Sequence, residues 1–288
     1  MQQKLTEKDI MTCMYEARLQ AEDLLFSQVP VWQEAFQKGY LTPLMYLVED
    51  SSVDADAVSL ETDLLVDHGR QLIAVNLEKF TCSALRGSLA AQRFYVQHLV
   101  AREMRHVYQR LVCKLSDEDV LKVPSTLPPQ AFLSRVQRWR TMLPTAGNAF
   151  LNDNELETDA EAFGYYLAME ACGHPIDVSE PEFAPYHSQI LELRTLYGPI
   201  VSAPSYPDRR AAFQAEAASK DYTGMRMHTM EDVENDLSAR TGNYLSGRPN
   251  PHGINSEIPV NPVYSQRYLD AIDQLITHAK SDTPPFSS

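Results

Sequence analysis

From Ser83 to about Val112 the chain has no proline, and Leu85, Leu89, Val96, Leu99, Val100, Val107 and Leu111 fall broadly along one stripe. Apolar side chains recurring every three to four positions mark a helix that lays one face on a core. The spacing therefore predicts one long core helix, around which the rest of the chain must be arranged. With 288 residues, 44% of them hydrophobic, the chain can bury one sizeable core, as a single large domain or a domain with appendages.

The neighbouring segments supply that arrangement. Thr6 and Asp9 form a capping-box-like start, and Ile10, Met14, Ala17, Ala21 and Leu24 follow helical spacing, which predicts a helix over residues 7 to 26. A shorter helix is expected around Trp32 to Lys38, before the Gly39-Tyr40 break. Val58, Leu60, Thr62 and Leu64 alternate, Asp67-His68-Gly69-Arg70 offers turn chemistry, and Leu72 to Leu77 resumes an apolar run, so a β-hairpin is expected. After a connector from Leu115 to Pro129, Phe132, Val136 and Trp139 mark another helix, with Gly147-Asn148 at its end. Glu155 to Cys172 forms one more, with Gly173 and Pro175 as stop signals. Beyond residue 180 regular patterns shorten, since 11 of the 18 prolines lie in residues 181 to 288. Tyr186 to Leu196, Ala211 to Ser219 and Ser265 to Lys280 remain helix candidates, Asn250 to Gly253 reads as a loop, and Ser281 to Ser288 as a frayed tail. The fold class is α+β.

Composition excludes several classes of function. A net charge of -14 opposes general attraction to nucleic acid or to an anionic membrane. No window approaches the run of about 18 apolar residues needed to span a bilayer. The N-terminus lacks the apolar core of a secretory signal, so a cytoplasmic location is expected. Cys13, Cys82, Cys113 and Cys172 are far apart in sequence and read as buried free thiols. Arg135, Arg138 and Arg140 around Trp139 form a local basic patch, read as a solvated helix face.

Inside the long helix stands Arg102-Glu103-Met104-Arg105-His106, the zinc-binding pattern His-Glu-x-x-His with arginine in place of the first histidine. Residues at i and i+4 lie one turn apart on one helix face, so two imidazoles there can share an ion. The glutamate beside the first histidine then reaches a metal-bound water whose pKa the zinc has lowered. A guanidinium offers no lone pair and repels a divalent cation. The later helix carries Glu157-Thr158-Asp159-Ala160-Glu161-Ala162-Phe163-Gly164.

This second segment resembles the Glu-x-x-Ala-x-x-Phe-(Ala/Gly) motif of small gluzincin-type metallopeptidases. Val100 to Gln109 resembles that family's active-site helix, Ala-His-Glu-x-x-His followed by an aromatic residue and Gln. The resemblance covers roughly residues 55 to 175 and implies a zincin-like core over residues 51 to 178. An N-terminal helical segment (1 to 50) would precede it and a proline-rich, partly helical extension (179 to 288) would follow. It further implies His106 as second ligand, Glu157 as third ligand and Glu103 as general base, with Arg102 at the place of the first ligand. Small alanines on the second helix would let it approach the first. Asp159 would suit a contact that orients His106.

Rescue of the metal by another histidine has little support. At a rise of about 1.5 Å per residue, His98 lies about 12 Å from His106 and cannot share its ion. His174, His187 or His228 could fold back to the site, though nothing in the sequence places them there. Arg102 has its own logic: carboxylates left without an ion in a partly buried pocket are costly, and a guanidinium forking toward Glu157 would neutralise them. Tyr165 and Tyr166 could offer a hydroxyl to an oxyanion, though helical tyrosines more often pack.

Three readings follow. In the first, the chain descends from metallopeptidases, binds zinc weakly or not at all, and acts in binding or regulation toward a peptide or protein partner. In the second it is an active zinc-dependent peptidase using His106, Glu157 and Glu103. In the third it is a helical interaction module with an accidental motif, and Glu103, His106 and Glu157 do not converge.

Overall fold

The computed structural model describes residues 4–37, 41–50, 56–62, 70–78, 88–143, 155–172, 184–198, 226–227, 231–233 and 235. Helix α1 (Glu7–Leu25) opens with the expected capping box: Asp9 N donates to Thr6 Oγ1, and Thr6 N to Asp9 Oδ2. Leu5 N donates to Gln92 Oε1 at 3.0 Å, tying the start of α1 to the long helix α3 (Leu89–Cys113). Pro30 opens a 3-10 turn (Pro30–Trp32) that leads into α2 (Gln33–Gln37). Trp32 packs edge-on against Phe26 and against Tyr108 of α3, with ring centroids 5.8 and 5.9 Å apart.

The expected hairpin is present as β2 (Ala57–Thr62) antiparallel to β3 (Arg70–Asn76), with Val58 opposite Ala74 and Leu60 opposite Leu72. Residues 63 to 69, which include Asp67, His68 and Gly69 of the expected turn, lie outside the described residues. The sheet contains another strand, β1 (Leu44–Val48), which alternation does not reveal because all five of its residues are apolar. β1 runs parallel to β3, and a two-residue strand β4 (Arg226–Met227) runs parallel to β1, giving the order β2-β3-β1-β4. Burial on both faces favours such a continuous apolar run. Residues before 50 thus contribute a strand to the sheet and a helix packed on α3.

α3 is the central element, with α1 on one side and α6 (Glu155–Ala171) on another, the sheet reached through β2 and β3, and α5 (Pro129–Met142) near its C-terminal end. Phe132, Val136 and Trp139 of α5 are buried as their spacing requires. The arginines beside them do not form a free basic face. Arg140 donates to the carbonyl of Cys113, one of those the end of α3 leaves without a helical partner, and to that of Leu115 just beyond it, and pairs with Asp117 of the short helix α4 (Asp117–Val120). Arg138 grips both oxygens of Glu155, which Arg135 also approaches. The face is solvated as expected, Arg138 being exposed, but its arginines are paired with nearby acidic groups.

Helix α7 (His187–Tyr197) follows a 3-10 turn (Ala184–Tyr186) and stops at Gly198, whose φ of 69° favours glycine. The expected breaks at Gly39-Tyr40, Gly147-Asn148 and Gly173-Pro175, the two later helix candidates, the loop at Asn250, the tail, and His174 and His228 fall outside the described residues. No helix among the described residues is long and apolar enough to cross a membrane.

Candidate functional site

α3 and α6 lie side by side because α6 presents small residues. Ala160 and Ala168 are fully buried, and a Cβ on Gly164 would stand 3.0 Å from the backbone oxygen of His98 and 2.7 Å from its Cδ2. Gly164 thus makes room for the His98 imidazole, which also stacks on Tyr165 with centroids 4.4 Å apart. Tyr165 and Tyr166 are packing residues in this setting: both are buried, and the Tyr166 hydroxyl donates to Gly198 O.

At this interface the two sequence motifs meet. Arg102 Nη2 donates to Glu157 Oε2 at 2.5 Å, its Nη1 to Glu103 Oε1 at 2.7 Å, and its Nε lies 2.7 Å from Glu161 Oε1. His106 Nε2 stands 3.4 Å from Glu157 Oε1, and His98 Nε2 stands 3.0 Å from Glu161 Oε2. Three cation-capable side chains recur every four residues on α3 and two carboxylates recur every four on α6. The result is an interleaved ladder in the order His98, Glu161, Arg102, Glu157, His106.

Glu103 and Glu157 both contact the Arg102 guanidinium, and His106 reaches Glu157, so the three residues converge. As arranged they do not fit a zinc ion. A guanidinium carries five N–H donors and no lone pair, and here it contacts Glu103, Glu157 and Glu161 together. Among the described residues no group of three His, Cys, Asp or Glu side chains is set to hold a metal.

Asp159 does not touch His106 directly. Arg105 takes both its oxygens, Nε to Oδ2 at 2.7 Å and Nη2 to Oδ1 at 3.1 Å, while its guanidinium lies over the Tyr108 and Phe163 rings. Gln109 Nε2 donates to Asp159 Oδ2 at 2.8 Å and to Leu156 O at 2.9 Å, and Gln109 Oε1 lies 2.9 Å from His106 Nδ1. Asp159 therefore reaches His106 through Gln109. The arginine one turn before Gln109 was near enough to capture the carboxylate first.

The electrostatics follow from this pairing. Burial works against the charge on Glu157, but His106 and Arg102 outweigh it and hold the carboxyl far below the usual range. Burial likewise opposes charge on Glu161, where His98 and Arg102 prevail, and on Asp159, where Arg105 and Gln109 prevail; both are lowered. For His106 burial favours the neutral ring, yet Glu157 and Glu103 raise it above the ordinary value.

The sequence motifs contain Arg102, Glu103, His106, Glu157 and Asp159. Arg105, Glu161 and Gln109 stand in the same motifs without an assigned role, and His98 is set aside there as a ligand, although the matched four-residue recurrences on the two helices carry a usable signal. No family model, no curated protein and no solved structure matches this chain.

Proposed function

We propose that this chain is a zincin-like protein of metallopeptidase descent in which a guanidinium has taken over the structural task of a metal ion, leaving a cleft that binds a peptide or protein partner rather than cleaving it. The observation that carries this reading is the triple contact of Arg102 with Glu103, Glu157 and Glu161. A general base needs a free carboxylate beside an activated water, and Glu103 is 2.7 Å from Arg102. Fold and helix pairing survive in this reading while the chemistry is lost.

A second reading, a working zinc peptidase, draws on the approach of His106 Nε2 to Glu157 Oε1, since both are ligand-competent atoms. It requires Arg102 to swing away. Metal analysis of protein purified without chelator separates the two. Descent with loss predicts nearly metal-free wild type and zinc gained by Arg102→His. Near-stoichiometric zinc in the wild type, lost in His106→Ala, supports the peptidase. Folded Arg102→His that binds no zinc overturns the proposed descent.

A reducing compartment such as the cytoplasm suits the thiols. Among the described residues Cys13, Cys113 and Cys172 are free, Cys13 buried as expected but Cys113 and Cys172 only partly, while Cys82 lies outside the described residues; burial pushes the three up to about 12, about 11 and about 11.

A further inference from the structure

Arg105 and Asp159 form a buried bidentate pair, which keeps Asp159 ionised and therefore only an acceptor. Leu156 O is also only an acceptor. Both face the same end of the Gln109 amide, at 2.8 and 2.9 Å. That end must be the NH2 group, because the carbonyl oxygen there would meet two acceptors and satisfy neither. The amide oxygen is consequently turned to His106 Nδ1 at 2.9 Å, and an oxygen acceptor requires a proton on that nitrogen.

We infer that Gln109 is a positioning residue that locks His106 with Nδ1 protonated and Nε2 turned toward Glu157. The orientation passes along a chain: Arg105 fixes Asp159, Asp159 and Leu156 fix the Gln109 amide, and Gln109 fixes the ring. As an imidazolium, His106 donates from Nδ1 to Gln109 and directs Nε2–H at Glu157. As a neutral ring it keeps the Nδ1 proton, the minority tautomer of histidine in water, and turns the Nε2 lone pair toward Glu157. This holds for the wild-type site whether or not an ion was ever bound there. It follows from the donors and acceptors around Gln109 and not from descent.

Nitrogen-15 NMR of the full chain, with His106→Gln to assign the ring signals, tests it. In the wild type, Nδ1 of His106 should carry a proton protected from exchange with water. In Gln109→Leu the protected Nδ1–H signal should be lost, and the neutral ring should revert to the Nε2–H tautomer. A wild-type ring with Nδ1 bare overturns the inference without need of a variant. So does a Gln109→Leu protein that folds and keeps its Nδ1–H protected.

Discussion

Arg102 Nη2 and Glu157 Oε2 lie 2.5 Å apart across two helices, and the same guanidinium reaches Glu161 one turn further along α6. Removing one partner of a buried charge pair leaves the other uncompensated, at a cost of several kcal/mol. The Arg102 side chain is 21% exposed, which places the effect toward the low end. Arg102→Met should therefore cost about 3 kcal/mol in urea unfolding, with the m-value unchanged. Arg102→Lys should recover only part, because one ammonium cannot fork over three carboxylates. A loss under about 1 kcal/mol for Arg102→Met would show the cluster behaving as a solvated surface pair.

Stability should fall on both sides of a mildly acidic plateau. Glu157 has its carboxyl depressed below the ordinary 4.5, so its contribution is complete above that value and is lost as pH falls through the native one. Glu161 and Asp159 act in the same direction. His106 is raised above its ordinary 6.5, so its contribution is complete below that value and lost as pH rises through the native one. Urea midpoints measured from about pH 3 to about pH 9 should show both limbs. His106→Gln should flatten the alkaline limb, and Glu157→Gln should weaken both, since the two groups titrate as a coupled pair. An alkaline limb unchanged in His106→Gln would assign it to another group.

Much of the fold is legible in the sequence because its helices are amphipathic and capped. Ile10 to Leu24, Leu89 to Leu111 and Phe132 to Trp139 announce themselves by spacing. β1 does not, since five apolar residues in a row fit a buried strand or a helical turn equally well, and only pairing with β3 decides. In the site, local motifs indicate which residues to examine but not their partners. Arg105, read as an unspecified position of the pentad, is the residue that claims Asp159. His98 is too far from His106 to share an ion, yet it enters the same network through Glu161, a link that exists only once the two helices are in register.

Gly164→Ala should destabilise by about 1–3 kcal/mol, the usual cost of overpacking, despite alanine's better helix propensity. The added carbon would stand 2.7 Å from His98 Cδ2 and 3.0 Å from the His98 backbone oxygen. Combining it with His98→Ala should relieve the side-chain part of the clash, so the double variant should be more stable than the sum of the single losses allows. Calorimetry of the four proteins measures this coupling; strict additivity would mean that the two residues do not compete for space.

The Arg105–Asp159 pair should show the asymmetry of buried ions. Asp159→Leu alone should cost about 3–5 kcal/mol by stranding Arg105, whereas Arg105→Met combined with Asp159→Leu should cost less than either single change. Chemical denaturation of the three variants tests it. A double variant worse than both singles would show that Gln109, deprived of an acceptor at 2.8 Å, dominates the balance.

The four-residue pitch shared by the two helices works like a vernier. Each carboxylate of α6 sits between two basic groups of α3, so sliding by one four-residue repeat, about 6 Å, moves every tooth into the wrong gap and leaves an end charge unmatched. A single ion pins two helices at one point about which they can swivel. An interleaved row also forbids swivelling, so a chain that replaced a metal with arginine in this way would have exchanged a pivot for a rail.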